Sequence, residues 1–264
     1  MSQTPPQSEA ADSTETQFTI RQERLATFVS NARTLVDEAK IRLEEDGLAL
    51  RAVDPSNVGM VSETLSKEAF ESYHAGNGEG VLGINLERVS DVLGMGSGGD
   101  LVHAELDDET RKLHWSVDSL EYTQALIDPD SIRQEPDIPE LDLPAVFDLP
   151  GSELSRAVKA ANMVADHIRF GFDPEEDEAV FEADGDTDSV EVVVDADRDL
   201  EVIESGEANS LFSNDYLDDL QKAYPNSGSV RVELGEEFPV KTHFEFAEGH
   251  GDCTFMLAPR IQSQ

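Results

Sequence analysis

Apolar residues recur at Leu25, Phe28, Val29, Ala32, Leu35 and Val36, the spacing that puts one stripe on a helix, and they predict a helix over 22–36. The period then switches from helical to alternating. Ala39 to Leu43 reads as a strand, Glu45-Asp46-Gly47 as a turn and Leu48 to Val53 as the returning strand. Leu86, Val89 and Leu93 make a shorter helical stripe, followed by strands over Leu101–Leu106, Lys112–Val117 and Glu121–Ile127.

The same design comes round again. Leu154, Ala157, Val158, Ala161 and Val164 reproduce the first stripe, predicting a helix over 152–165. His167–Phe170 and Ala179–Ala183 form the next alternating pair, with an acidic turn at 173–178 between them. Leu217, Leu220 and Tyr224 repeat the short stripe, and strands follow over Ser229–Leu234, Pro239–Phe246 and Cys253–Leu257. Between the halves, Asp128–Leu143 is rich in proline and acid and has no stable period, as a connector does. The chain therefore reads as a tandem of two α+β units, each with two helices and about eight or nine strands. The expected boundaries are a polar, disordered tail over 1–17, a first domain over 18–125, a connector over 126–141 and a second domain over 142–264.

Charge changes the picture next. There are 57 acidic against 19 basic side chains in 264 residues, a formal net charge of −38, and only six of the basic residues are lysines. At low salt such a surface repels itself; at 1 M the screening length falls to about 3 Å. Carboxylates hold water where lysine stems would expose methylenes. The balance points to a salt-adapted, cytoplasmic protein. Hydrophobic residues make up 38% of the chain, enough for a real core. No apolar run reaches the length of a membrane span, Met1–Thr16 lacks the pattern of a signal peptide, and the single cysteine, Cys253, excludes an internal disulfide framework.

Against this acidity the few cations on the helices stand out. The outward face of the first helix carries Glu23, Thr27, Ser30, Asn31 and Thr34, flanked by Arg24 and Arg33. On the matching helix, Arg156 and Lys159 lie one turn apart near the middle of the polar face.

Four strings then carry a resemblance. Leu50-Arg-Ala-Val-Asp-Pro-Ser-Asn-Val-Gly-Met-Val61, the closing Leu257-Ala-Pro-Arg-Ile261, Leu126-Ile-Asp128 with Ile138-Pro-Glu-Leu141, and Tyr216-Leu-Asp-Asp-Leu-Gln-Lys-Ala223 each resemble segments of DNA sliding clamps of the proliferating-cell-nuclear-antigen (PCNA) type. The likeness spans residues 18–261. It implies the DNA-clamp fold: two similar domains, each with two helices packed on antiparallel sheets, assembling head to tail as a homotrimeric ring with the helices lining the hole. The ring would encircle double-stranded DNA without reading its sequence and tether DNA polymerase, the clamp loader (replication factor C), flap endonuclease and DNA ligase through short peptides. No cofactor, metal or membrane is implied.

By position, the resemblance makes Arg33, Arg156, Lys159 and Lys222, with Arg24 and Arg88 nearby, the candidates for DNA contact. Ala26, Thr27, Asp91 and Gly94 stand where many clamps have lysines, and Asp215, Asp218 and Asp219 make the last helix acidic, so a less positive lumen is expected. The client-peptide pocket would be lined by Val53, Val58, Ile138, Leu141, Pro239, Leu257, Ala258 and Pro259. The strand around Leu113, Trp115 and Tyr122 would pair with the strand of Val190, Val192 and Val194 in the next subunit.

Catalytic motifs do not hold up. Gly94-Met-Gly-Ser-Gly-Gly99 contains G-x-G-x-x-G but follows a helix and precedes a strand, the reverse of a dinucleotide site. Asp184, Asp186 and Asp188 begin like an EF-hand, but Ser189 takes the glycine place and Asp195 the final glutamate place. His250 and Cys253 lack a second ligand pair. No histidine sits in a nucleophile–base arrangement. Two other readings stay open on acidity alone: a carboxylate-dependent hydrolase, and a monomeric acidic mimic of DNA that binds a partner protein.

Overall fold

The computed structural model describes residues 16–76, 80–136 and 141–260. The first half runs β1 (Thr16–Arg21), α1 (Gln22–Arg33), β2 (Glu38–Glu44), β3 (Gly47–Val53), β4 (Gly59–Ser66), β5 (Phe70–Ala75), β6 (Gly80–Asn85), α2 (Leu86–Leu93), β7 (Leu101–Asp107), β8 (Lys112–Val117) and β9 (Leu120–Ala125). The second repeats that order: β10 (Ala145–Pro150), α3 (Gly151–Ala161), β11 (His167–Asp173), β12 (Glu178–Asp184), β13 (Ser189–Val194), β14 (Glu201–Glu204), β15 (Ala208–Ser213), α4 (Asn214–Leu220), β16 (Ser229–Leu234), β17 (Val240–Phe246) and β18 (Gly251–Leu257). Among the described residues no helix is long and apolar enough to cross a membrane.

The duplication extends to the sheets. The five-stranded sheet β5-β1-β7-β8-β9 has its counterpart in β14-β10-β16-β17-β18, and β6-β2-β3-β4 has its counterpart in β15-β11-β12-β13. One join breaks the symmetry. β18 pairs antiparallel with β4, from Gly251 opposite Leu65 to Leu257 opposite Gly59, and fuses the two halves into a sheet of nine strands. The strands that correspond to this joined pair, β9 and β13, are sheet edges in the single chain.

The expected helix stripes do build the core. Leu25, Phe28, Val29 and Ala32 are buried on α1, and Leu154, Ala157, Val158 and Ala161 on α3. Both helices stop earlier than their apolar period. After Arg33 the chain tightens, Thr34 N–H donating to Asn31 and Leu35 N–H to Ala32, so Leu35 and Val36 extend the stripe without extending the helix. Asn31 corrects the reading of the α1 polar face: it is fully buried and its amide donates to Glu63 at 3.2 Å. β1 also begins at Thr16, which pairs with Ala75, so the end of the expected tail is strand.

The connector is tied down at its start. Ile127 N–H donates to Gly83 O at 2.8 Å, and a Cβ on Gly83 would lie 2.3 Å from Ile127 O, so only glycine admits this crossing.

Candidate nucleic-acid and client interfaces

The helical cations divide into two groups. Arg33 donates to Ser90 Oγ at 2.8 Å, which fixes its stem along α2 and adds no opposing charge. Lys159 and Arg88 are exposed, and neither side chain has an ion pair among the described residues. Arg156 pairs with Glu153 at 2.6 Å, and Arg198 reaches the same carboxylate at 3.6 Å. Lys222 is bound by Asp219 at 2.7 Å and Asp218 at 3.8 Å, and these aspartates raise its pKa. Arg24 departs furthest from expectation. Its guanidinium donates to Ala69 O at 2.7 Å and to Glu248, and its side chain is only 17% exposed. Arg24 holds the protein together, and Lys222 carries its own counter-ions.

The pocket residues converge on one aspartate. Asp54 ends the β3 ladder and accepts from Ser56 N–H at 2.8 Å, Val58 N–H at 2.6 Å and Gly59 N–H at 2.7 Å. Burial pushes its carboxyl upward, but those bonds from Gly59, Ser56 and Val58, with one from the Tyr216 hydroxyl, win and hold it below the ordinary carboxylate value. The loop so fixed presents Val58, whose carbonyl accepts from Ala258 N–H at 2.9 Å. The register brings Leu257 opposite Gly59 and Val240 opposite Leu257, so Val53, Val58, Pro239, Leu257, Ala258 and Pro259 gather at one end of the nine-stranded sheet. Leu257 itself is buried in the core; Val58, Pro239, Ala258 and Pro259 are partly open. Leu141 is partly open on the way into β10, and Ile138 lies outside the described residues. Phe238, half exposed beside Pro239, was not anticipated; an aromatic before that proline was the available signal.

The interface candidates need one correction. Leu113 and Trp115 lie on β8, which is paired on both sides by β7 and β9, and both are buried in the chain's own core. Neither can offer an edge. Tyr122 sits on β9 and Val190, Val192 and Val194 on β13, the two edges left over by the duplication. Tyr122 and Val190 are half-buried there, while Val192 and Val194 point into the core. Among the described residues no cluster of three metal-ligating side chains exists, and Cys253 is fully buried.

The family models described as "Proliferating cell nuclear antigen, N-terminal domain" and "C-terminal domain" match residues 21–126 and 137–260. The chain belongs to the PCNA family. Relatives named "DNA polymerase sliding clamp" include those of Natronomonas pharaonis, 56% identical over 92% of this chain and 98% of the relative, and Haloarcula marismortui, 54% identical over 93% and 98%. Among solved structures, A. fulgidus PCNA with the C-terminal region of FEN-1 bound superposes with a TM-score of 0.87 at 37% identity, covering 94% of this chain and 100% of that one. PCNA from Thermococcus kodakaraensis gives 0.83 at 25% identity, over 93% and 100%. Membership in the PCNA family makes this chain a sliding clamp and not an enzyme, which closes the hydrolase reading.

Proposed function

We propose that three copies of this chain join head to tail into a closed ring that encircles double-stranded DNA and tethers DNA polymerase, replication factor C, flap endonuclease and DNA ligase to it, in a high-salt cytoplasm. The observation that carries the reading is the pair of unmatched edges. β18 and β4 join the halves within the chain, so their equivalents β9 and β13 are shaped to join one chain to the next. Equivalence through the neighbouring strands supplies the register that this reading expects. Cys253 faces Glu63 and Phe255 faces Val61 within the chain; the corresponding pairs are Leu120 with Val192 and Tyr122 with Val190 of the next copy. A heterologous contact of this kind escapes filament growth only if its rotation closes, and the family resemblance implies closure at three.

Encirclement needs little from the cations. A closed ring cannot leave a long duplex sideways, and phosphate contacts from Arg33, Arg88, Arg156 and Lys159 suffice to centre it. Clients dock by aromatic anchors in the pocket of Val53, Val58, Ile138, Leu141, Pro239, Leu257, Ala258 and Pro259. That reading is supported by the relative whose structure holds the C-terminal region of FEN-1. A monomeric DNA mimic has no use for two matched edges. Mass measurement in molar KCl tests the proposal: a trimer is expected, and a monomer contradicts it.

A further inference from the structure

The outer face of the first half holds three cations, Lys40, Arg42 and Arg51, that neither the ring nor the apolar pocket uses. Along β2 and β3, Ala39, Ile41, Leu43, Leu48, Leu50 and Ala52 turn inward, so Lys40, Arg42 and Arg51 stand together on the opposite face. The connector crosses above them. Two adjoining clefts of about 570 and 600 Å³ lie between, and Lys40, Arg51 and Gln134 line both. Their walls carry five of the chain's 19 cations, Arg33, Lys40, Arg42, Arg51 and Arg133, against only five of its 57 acids, Asp37, Glu38, Glu87, Asp130 and Glu135. On so acidic a molecule, a neutral lining is a local excess of positive charge.

Those cations differ in what holds them. Arg42 grips Glu135 of the connector with two bonds, 3.0 and 2.9 Å, and Arg133 donates to Asp54 O at 2.6 Å. These two fasten the connector over the sheet. Lys40 and Arg51 have neither an ion pair nor a side-chain hydrogen bond among the described residues. Two free cations lining both clefts suit a ligand that carries carboxylates, as an acidic stretch of polypeptide does. The proposed apolar site is contiguous, because Val53 and Pro55 line the first cleft and Arg133 binds the carbonyl between them.

We propose that Lys40 and Arg51 form a subsite for acidic residues flanking a client's apolar anchor. The proposal rests on the client-docking reading. It gives an acidic flank a place on a surface whose net charge would otherwise repel it.

The test uses the full chain in 1 M KCl and fluorescence anisotropy. The probes are an anchor peptide (glutamine, an aliphatic residue, two aromatics), the same peptide with four glutamates before or after the anchor, a tetraglutamate peptide alone, and a short oligothymidylate. The comparison is wild type against K40Q/R51Q, whose positions are at the surface, with mass and circular dichroism as folding controls. One glutamate-flanked peptide should bind wild type about threefold tighter than the bare anchor, as two exposed charge pairs allow. That increment should vanish in the variant and shrink as salt rises, while the bare anchor binds both proteins alike. Absence of the increment, or its persistence in the variant, overturns the subsite. If the bare anchor does not bind wild type, the docking reading fails; tetraglutamate binding to wild type and not to the variant then still upholds the subsite, and its failure to do so overturns it. Oligothymidylate binding that depends on Lys40 and Arg51 and excludes the flanked peptides makes the occupant a nucleic acid and overturns it as well.

Discussion

Tyr216, at the start of α4 in the second half, donates its hydroxyl to Asp54 Oδ2 of the first half at 2.8 Å. Because Asp54 also organises the loop that presents Val58, this one bond couples the junction between the halves to the proposed client pocket. Tyr216→Phe should lower unfolding stability by about 1 kcal/mol, read by urea titration in molar KCl. Asp54→Ala should cost more, since it orphans the N–H groups of Ser56, Val58 and Gly59 together. Equal losses in the two variants would show that the loop does not depend on the carboxylate.

The Asp54 pKa is lowered by folding, so its contribution is present above the unfolded value, about 3.9, and is lost as pH falls through the lower folded value. Wild type should therefore lose more stability in strong acid than Asp54→Asn does. The measurement is the denaturation midpoint of each protein between pH 5 and the acid limit of folding.

Glu63 works in the opposite sense. It is fully enclosed opposite Cys253 in the strand pair that joins the halves, and burial drives its pKa well up, against a smaller pull from the Asn31 amide. A raised folded pKa means stability that is complete below the unfolded value of about 4.3 and declines as pH rises toward the folded one. Glu63→Gln keeps the shape and cannot ionise. Its stability should match wild type below about pH 4 and exceed it by a margin that grows as pH rises; parallel curves would show that Glu63 does not titrate with folding.

Assembly should fail when the free edges are charged. Tyr122→Asp with Val190→Asp alters two half-buried side chains at the edges of β9 and β13, so the monomer should stay folded while the proposed contact is lost. Analytical ultracentrifugation should report one chain mass with an unchanged far-ultraviolet spectrum. A retained trimer would place the contact elsewhere. Leu113 or Trp115 would be poor choices, because polar substitution there attacks the core of the chain itself.

Legibility in the sequence followed the physics of each signal. The stripes of α1 and α3 were readable because a buried helix face must repeat every three or four residues, and that repeat exposed the duplication. β5 and β14 were not, because half-exposed edge strands such as Glu201-Val-Ile-Glu204 alternate weakly. Asn31 was misplaced on the polar face since periodicity cannot foresee a buried amide whose partner, Glu63, lies on another strand. Leu113 and Trp115 were assigned to an edge because strand order is a tertiary fact. The Asx turn at Asp54 was written in Val53-Asp-Pro-Ser-Asn-Val-Gly59, but its bond to Tyr216 spans 162 positions and leaves no local trace.

Charge reversal at Arg156 and Lys159 together should leave the trimer intact and shorten its residence on DNA, since both face outward from α3 and neither belongs to the edges. Loss of the trimer would show that α3 takes part in assembly.

Topology offers the sharpest measurement. The assembled protein, loaded by the proposed clamp loader in molar KCl onto closed circular duplex, should remain on the DNA through gel filtration and come off once the circle is cut to a linear form. Equal retention on circular and linear DNA, or release from both, would contradict encirclement.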